Sequence, residues 1–368
     1  MHHPPARRIL RASVALVAAA CALPALAQHY KQTNLVSDQP GVATTTDGNL
    51  VNPWGLSRSS TSPWWASDNG TGLATLYAGT GTPASLVVTI PTGDPDASST
   101  GTPTGTVFNG TTGFTLATGK PALFMFVTED GTISGWNPGV KPTTAVVEVN
   151  TKSASVFKGA ALASVNFPNG TSETFLYVAD FRKGRIQVYD SSFHHVTLME
   201  EMFRDERVPH GFAPFNVQNI GGDLYVMFAK QDDQKHDEVD GAGLGYVNVY
   251  SPLGFFERRL EHGWWLNAPW GVAMAPGDFG IYSHDLLVGN FGSGMIDVFD
   301  PATGEFKGML NDASNHPITI DGLWDLSFGS GGTSGSATAL YFSAGSDGEQ
   351  HGLFGTITPV ENTLGNSR

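Results

Sequence analysis

Apolar and polar residues alternate along the chain in short runs of strand length, separated by turns rich in glycine, asparagine and aspartate. The segment LYVADFRKGRIQVYD (176–190) shows the pattern, because two runs of β-branched and aromatic residues flank a polar turn that contains a glycine. Such runs bounded by turn residues are typical of β-hairpins. No long segment has the periodicity of an amphipathic helix. The sequence therefore predicts an all-β fold.

The same pattern recurs along the chain, closely at 286–300 and more loosely at 224–251. Aligned on the apolar run before the turn, six units are found, at 64–72, 123–132, 176–184, 224–233, 286–294 and 340–348. Shorter apolar strands opened by an aromatic residue precede four of them, at 52–57, 213–220, 268–276 and 321–329. Repeats spaced by roughly 40 to 55 residues predict a β-propeller, in which each four-stranded sheet is one blade around a central channel.

The sequence predicts six blades and a ring that is closed by the N-terminal strand. The last unit ends after 356–359 without a clear fourth strand, whereas the strand-like segment 30–38 precedes the first unit without a partner. Pairing these two segments completes the last blade and removes two exposed sheet edges. Seven blades are the alternative, because the irregular stretch 92–122 is long enough to contain further strands.

The first 27 residues have the features of a secretory signal peptide, with a basic start, an alanine-rich apolar stretch and small residues at Ala25 and Ala27. The mature chain, 28–368, is then a single propeller domain that is periplasmic or secreted and has no membrane span. The only cysteine of the full sequence, Cys21, would be removed with the signal, so the mature chain is expected to have neither disulfides nor thiolate metal sites. Acylation of Cys21 as a lipoprotein is the alternative.

Net charge narrows the choice of partners. Removing the signal and its three arginines from a chain with 20 basic and 34 acidic side chains leaves a formal charge of −17. Such a surface repels nucleic acid and anionic membranes, and it tolerates cations. We therefore expect a monomer that binds a small molecule or another exported protein.

Segment 176–190 resembles the NHL repeat, whose blades pair an apolar strand ending in Ala-Asp with a second strand of the Arg-Ile-x-Val-Tyr type. The whole mature chain is also similar to a family of exported bacterial propeller proteins, some of which carry a C-terminal PEP-CTERM tail. Five segments carry this resemblance: NLVSDQPG (34–41), NPWGL (52–56), PFNVQNIGGDLYV (214–226), NAPWGVA (267–273) and DGLWDLSFG (321–329). The resemblance implies an NHL- or TolB-like ring of six blades and no particular activity.

Propeller topology places the loops between second and third strands on the same face as the loops that join blades. That face is predicted to carry the long insertion 230–245, together with 204–216 and 346–352. Long loops on a rigid scaffold are common places for binding. The candidate ligand-contacting residues there are His210, His236, Asp237, Glu238, Asp240, His351, Trp270 and Trp324. The two tryptophans would form an aromatic rim, and packing between blades is the alternative.

Asp68, Asp180 and Asn290 end the second strands of three different units, so the topology predicts that they surround the channel mouth, with His236 supplied by the insertion. Oxygen ligands suit Ca²⁺, and a histidine beside a carboxylate suits Zn²⁺. These four residues are therefore predicted ligands of a divalent cation. In the alternative interpretation each acidic residue caps its own turn and the insertion is a solvated acidic loop.

The chain has neither a Gly-x-Ser-x-Gly elbow nor a glycine-rich phosphate loop that leads into a helix. We therefore expect that the protein is a non-catalytic module that binds a ligand or another protein. The alternative is a metal-dependent hydrolase or lyase of lactonase-like type at the channel mouth, in which the metal would activate water.

Overall fold

A computed structural model describes residues 29–94 and 98–360, so the predicted signal peptide and Cys21 lie outside the described residues. The first ten strands are β1 (Tyr30–Ser37), β2 (Thr45–Thr46), β3 (Pro53–Ser57), β4 (Trp64–Asp68), β5 (Leu73–Tyr77), β6 (Val88–Thr89), β7 (Pro103–Phe108), β8 (Phe124–Thr128), β9 (Thr132–Trp136) and β10 (Val146–Asn150). The next eight are β11 (Phe157–Asn166), β12 (Ser172–Asp180), β13 (Arg185–Tyr189), β14 (His195–Val196), β15 (Phe212–Ile220), β16 (Asp223–Lys230), β17 (Gly245–Tyr250) and β18 (Phe256–Arg259).

The last seven are β19 (Pro269–Met274), β20 (Leu286–Asn290), β21 (Ile296–Phe299), β22 (Phe306–Met309), β23 (Leu323–Phe328), β24 (Leu340–Ala344) and β25 (Leu353–Pro359). A 3₁₀ turn at Gly280–Tyr282 and a helical turn at Ser346–Glu349 are the helical elements of the described chain. Among the described residues, no helix is long and apolar enough to cross a membrane.

The strands form six antiparallel sheets, which are the blades of a propeller. Blades 1 to 5 each take four consecutive strands, starting with β3, β7, β11, β15 and β19. Blade 6 has the order β2-β1-β25-β24-β23, so it combines both ends of the described chain. The prediction of six blades is confirmed. The irregular stretch that could have hidden a seventh blade contains β7, the innermost strand of blade 2.

Strand β1 closes the ring as predicted. It pairs antiparallel with β25 from Tyr30 opposite Pro359 to Ser37 opposite Leu353. The buried hydroxyl of Tyr30 also donates a hydrogen bond to the carbonyl oxygen of Phe279 in blade 5, at 2.9 Å. The N-terminal strand thus completes one blade and contacts the preceding one.

Every innermost strand has the same irregularity near its start. The strand pairing shifts register after Pro53, Pro103, Phe157, Pro214, Pro269 and Leu323. Such a β-bulge re-aims the side chain beside it. The residues that follow these six positions are Trp54, Thr104, Lys158, Phe215, Trp270 and Trp324, and all are buried.

A glycine follows the bulge residue in four blades, and close packing between blades requires it. A Cβ atom added to Gly55 would lie 2.8 Å from the carbonyl oxygen of Thr104, and one added to Gly271 would lie 2.5 Å from that of Trp324. Both distances are shorter than real Cβ contacts. The backbones of neighbouring innermost strands therefore touch directly around the axis.

Blades 4 and 6 have a polar residue where the others have this glycine. Asn216 donates through Nδ2 to the carbonyl oxygen of Trp270 at 2.9 Å. The Asp325 Oδ2 atom accepts a hydrogen bond from the backbone N–H of Leu56 at 2.7 Å. Each side chain therefore links its own blade to the next one.

Candidate functional site

Aromatic rings fill the channel near its axis. The ring centroids of Trp54 and Trp324 are 3.5 Å apart with nearly parallel planes, and Trp270 meets both edge-on at 6.2 and 5.9 Å. Phe215 contacts Trp54 and Trp324 as well. Because Trp270 and Trp324 are buried, the structure shows them packed between blades, which is the alternative to an exposed aromatic rim.

A lysine stands where other blades place these aromatic rings. Lys158 follows the bulge of β11 and is 1% exposed. Its Nζ atom lies 4.9 Å from the ring centroid of Trp54 and 5.8 Å from that of Phe181. Aromatic faces attract cations at such distances. The ammonium group therefore lies at the end of the aromatic column, which consists of Trp54, Phe215, Trp270 and Trp324.

Two carboxylates pair with this ammonium group. Lys158 Nζ lies 2.6 Å from Glu129 Oε1 and 3.1 Å from Asp237 Oδ1. Burial disfavours the charged lysine, but the carboxylates of Glu129, Glu238 and Asp237 outweigh that effect and raise the pKa of Lys158 above its ordinary value. The pairs join blade 2, blade 3 and the insertion of blade 4.

In the structure the insertion comprises residues 231–244, between β16 and β17. Hydrogen bonds of its backbone groups hold it against the ring, in addition to the contact of Asp237 with Lys158. The N–H of Gly241 donates to Asn267 Oδ1 at 2.7 Å, and the N–H of Ala268 donates to the carbonyl oxygen of Leu244 at 3.3 Å. These bonds connect the insertion to the loop that enters blade 5. The insertion is therefore a structured part of the channel mouth.

The insertion brings two adjacent carboxyl groups with opposite pKa shifts to this mouth. Burial raises the pKa of Glu238 to about 8, partly opposed by the charge of Lys158. Burial alone would also raise the pKa of Asp237, but the charge of Lys158 and a hydrogen bond with His236 lower it. Near neutral pH the first carboxyl can therefore donate a hydrogen bond while the second accepts one.

Glu349 completes the acidic cluster from blade 6. Its Oε2 atom accepts a hydrogen bond from Asn52 Nδ2 at 2.7 Å. Burial raises its pKa, opposed by Asn52 and Lys158, and the charges of Glu129 and Asp237 raise it further. Carboxyl groups from three blades thus surround one buried ammonium group.

Two predicted metal ligands on the second strands, Asp180 and Asn290, form hydrogen bonds with neighbouring strands and turns. Asp180 contacts Gln187 and accepts the backbone N–H of Lys183 at 3.1 Å. Asn290 donates to Asp297 Oδ2 at 2.9 Å and accepts the backbone N–H of Asn267. These side chains are therefore already engaged in hydrogen bonds that stabilise the strands and turns around them.

Asp68 differs from these two because both of its carboxyl oxygens lack a hydrogen-bond partner within the described residues. The side chain is fully buried, and burial raises its pKa well above the ordinary value. Burial without a partner therefore disfavours the charged carboxylate at this position.

His236 belongs to the one group of three possible ligand residues found among the described histidine, cysteine and acidic residues. One ligand atom each from Glu129, His236 and Asp237 lies within 4.8 Å of the other two. Carboxylate oxygens with one imidazole nitrogen suit a divalent cation. Lys158 Nζ already contacts both carboxylates, so a metal ion would compete with this ammonium group for the same oxygens.

The remaining predicted residues are spread over the loops of the ring. His210 is exposed. Asp240 is exposed as a residue, but partial burial of its carboxyl group raises the pKa. The Nδ1 atom of His351 lies 2.8 Å from Asp38 Oδ2 within blade 6. Sequence reasoning missed Glu129 and Lys158 as site residues, although KG at 158–159 aligns with WG at 54–55 and 270–271.

The described residues define a six-bladed β-propeller with a polar site at one end of an aromatic channel. No family model matches the chain. An uncharacterized protein of Acanthamoeba polyphaga mimivirus is 32% identical over 306 residues, covering 81% of this chain and 73% of the viral protein. A second uncharacterized protein of that virus is 32% identical over 337 residues, covering 89% of this chain and 85% of its own. The chain belongs to the same family as these two proteins.

A solved structure shows the same fold. The crystal structure of a protein of unknown function from Bacteroides thetaiotaomicron matches 90% of this chain and 76% of its own, with a TM-score of 0.53 and 10% identity. The likeness concerns the fold alone. The resemblance to exported bacterial proteins stays a prediction, since the two sequence relatives described above are viral.

Proposed function

We propose that this protein is a binding module that recognises an amine or guanidine group at the channel mouth. The observation that supports this most directly is the excess of carboxyl groups around Lys158. Glu129, Asp237, Glu238 and Glu349 influence one another electrostatically around this single ammonium group. A cationic ligand would neutralise the carboxylates that this one ammonium group leaves unbalanced.

The structure of the mouth also supports the binding of a small group. The aromatic column closes the channel below the carboxyl groups, and the insertion 231–244 bounds them on one side. A ligand would therefore lie above the buried aromatic rings and contact residues of blades 2, 4 and 6. The occupant is a small organic cation or a basic side chain of an exported protein.

Calorimetric titration of the mature protein with spermidine and arginine at low salt tests this proposal. We expect saturable binding that becomes at least about tenfold weaker in Asp237→Asn, since one charge contact contributes about 1.5 kcal/mol or more. Glu173→Gln, which removes an exposed carboxylate from the β11–β12 hairpin, is the matched control and should bind normally. Absence of binding, or equal binding by Asp237→Asn, would contradict the proposal.

The second candidate is a metal-dependent hydrolase, supported by the proximity of Glu129, His236 and Asp237. A divalent cation held there would polarise a carbonyl group and activate water. Because Lys158 competes for the same oxygens, Lys158→Met should bind Zn²⁺ more tightly than the unaltered protein. Elemental analysis of the purified protein, together with Tm before and after chelation, tests the candidate. The candidate is ruled out if the purified protein contains no metal, its Tm is unchanged by chelation, and the Lys158→Met variant binds no Zn²⁺.

Export and a monomeric state are further parts of the proposal, supported by the N-terminal sequence pattern and the resemblance to exported bacterial propeller proteins. N-terminal sequencing of the periplasmic or secreted protein should give a chain that begins at Gln28. Full-length protein confined to the cytoplasm would contradict it. Light scattering of the purified protein tests the monomer.

A further inference from the structure

The channel has a second opening on the face opposite to Lys158, where the innermost strands end. A cavity of about 320 Å³ lies there, lined by residues of blades 1, 2, 3, 4 and 6. Its size is at the lower end of the range of roughly 300–1,000 Å³ typical of small-molecule sites. The polar part of its lining consists of Ser57, Arg58, Thr106, Gln218, Asn219 and Ser327. Side chains from four blades thus converge on one small space.

Arg58 is held in a fixed position at this cavity. Its Nε and Nη2 atoms donate to the carbonyl oxygen of Phe328 at 2.9 and 2.6 Å, and its guanidinium carbon lies 5.3 Å from the ring centroid of Trp64. Arginine remains charged in proteins. The cation is therefore immobilised across the seam between blades 1 and 6.

No carboxylate within the described residues forms an ion pair with Arg58, and no residue that lines the cavity is acidic. A carboxyl group near the lining, that of Asp325, accepts the backbone N–H groups of Leu56 and Leu326 instead. The chain as a whole has 34 acidic and 20 basic side chains. An unpaired guanidinium at a cavity without acidic groups is therefore a local exception to the charge of the protein.

A neutral polar group at the cavity also lacks a partner. The side chain of Gln218 is partly exposed, and its amide makes no hydrogen bond to another described residue. Its N–H groups are therefore free to donate to an acceptor that a ligand supplies.

We propose that this cavity binds a small organic anion through a carboxylate or phosphate group. Arg58 supplies the positive charge, and the side-chain amide of Gln218 supplies hydrogen-bond donors to the anionic oxygens. Leu56, Val107 and Leu162 line the same cavity and contact the apolar part of the ligand. This site is independent of the one proposed around Lys158, because it lies at the other end of the channel and selects the opposite charge.

Calorimetric titration of the full mature protein with inorganic phosphate and with benzoate, at constant ionic strength in sodium chloride, tests this site. We expect saturable binding of at least one anion, and the tighter of the two identifies a phosphate or a carboxylate ligand. Arg58→Gln should weaken binding at least about tenfold. Arg182→Gln is the matched control, because Arg182 also donates to a backbone carbonyl, that of Ser153 at 2.8 Å, but in blade 3.

Gln218→Met keeps the proposal testable if Arg58→Gln folds poorly, since methionine is close to glutamine in size and the Gln218 amide makes no hydrogen bond to another described residue. We expect this variant to keep the Tm of the unaltered protein and to bind the anion several-fold more weakly. The proposal is overturned if neither anion binds, or if a folded Arg58→Gln or Gln218→Met variant binds as tightly as the unaltered protein.

Discussion

The indole rings of Trp54 and Trp324 stack at a centroid distance of 3.5 Å with an angle of 19° between their planes. The two residues belong to the innermost strands of the first and last blades. The Trp324 Nε1 atom also donates to Asn52 Oδ1 at 2.9 Å. This contact therefore forms only when the ring closes.

Trp324→Ala should destabilise the protein by about 3–5 kcal/mol, because it leaves a large cavity in a closely packed aromatic cluster. Chemical denaturation followed by fluorescence measures the free energy of unfolding. Trp264→Ala is the control, since the Trp264 residue is 63% exposed and its loss should change stability by less than about 0.5 kcal/mol. Equal effects of the two substitutions would show that the column does not stabilise the ring.

Lys158→Met should reduce the free energy of unfolding by about 1–3 kcal/mol, because Glu129 loses its charged partner while remaining largely buried. The insertion 231–244 should also become more susceptible to protease, since its contact through Asp237 is lost. Lys120→Met removes an exposed ammonium that donates to one carbonyl oxygen, and it should affect neither property. Unchanged stability and unchanged cleavage in Lys158→Met would contradict the prediction.

Stability should fall as the pH rises through the neutral range, because of buried carboxyl groups. Burial raises the pKa of Asp297 to about 8 and that of Asp325 to about 7. Between the ordinary pKa of 3.8 and these values, the unfolded chain has lost protons that the folded chain retains. Each such group therefore lowers the free energy of unfolding by up to about 1.4 kcal/mol per pH unit.

Asp297→Asn isolates this effect, because asparagine has the same shape and does not titrate. The variant should gain stability relative to the unaltered protein between pH 5 and about 8, and the difference should then stop growing. Asp300→Asn is the control, since backbone N–H groups lower the pKa of Asp300, and its stability difference should therefore stay constant above pH 5. A stability difference for Asp297→Asn that stays constant with pH would argue against a raised pKa.

Removing residues 29–37 should open the ring and promote self-association. The truncation deletes β1, exposes the edge of β25 and removes the contact between Tyr30 and Phe279. Unpaired strand edges are templates for pairing with other chains. Light scattering should show aggregates that the intact mature chain does not form. A monomeric, cooperatively unfolding truncated protein would contradict the role of β1 in closure.

The fold could be predicted from the sequence because each blade repeats an apolar second strand followed by a polar turn. The structure has these strands at the expected places, from β4 to β24. Two innermost strands, β7 and β11, escaped the prediction. Their channel positions hold Thr104 and Lys158 instead of an aromatic residue, so the signal that marked the other four strands was missing.

The candidate site was harder to predict because it depends on long-range packing. Local sequence correctly marked the insertion as unusual, but its contact with Lys158 joins residues 79 positions apart. Asp180 and Asn290 looked like free ligands at strand ends, whereas neighbouring strands and turns satisfy their hydrogen bonds. Sequence alone does not show which polar side chain has already found a partner.

The bulge at the start of each innermost strand separates strand pairing from the choice of the side chain that faces the axis. Backbone hydrogen bonds on either side of the bulge maintain the strand pairing, and the bulged residue determines which side chain lies at the channel axis. The chain already places tryptophan, phenylalanine, threonine and lysine at this position. These six positions thus share one backbone geometry, while their side chains range from an indole ring to an ammonium group.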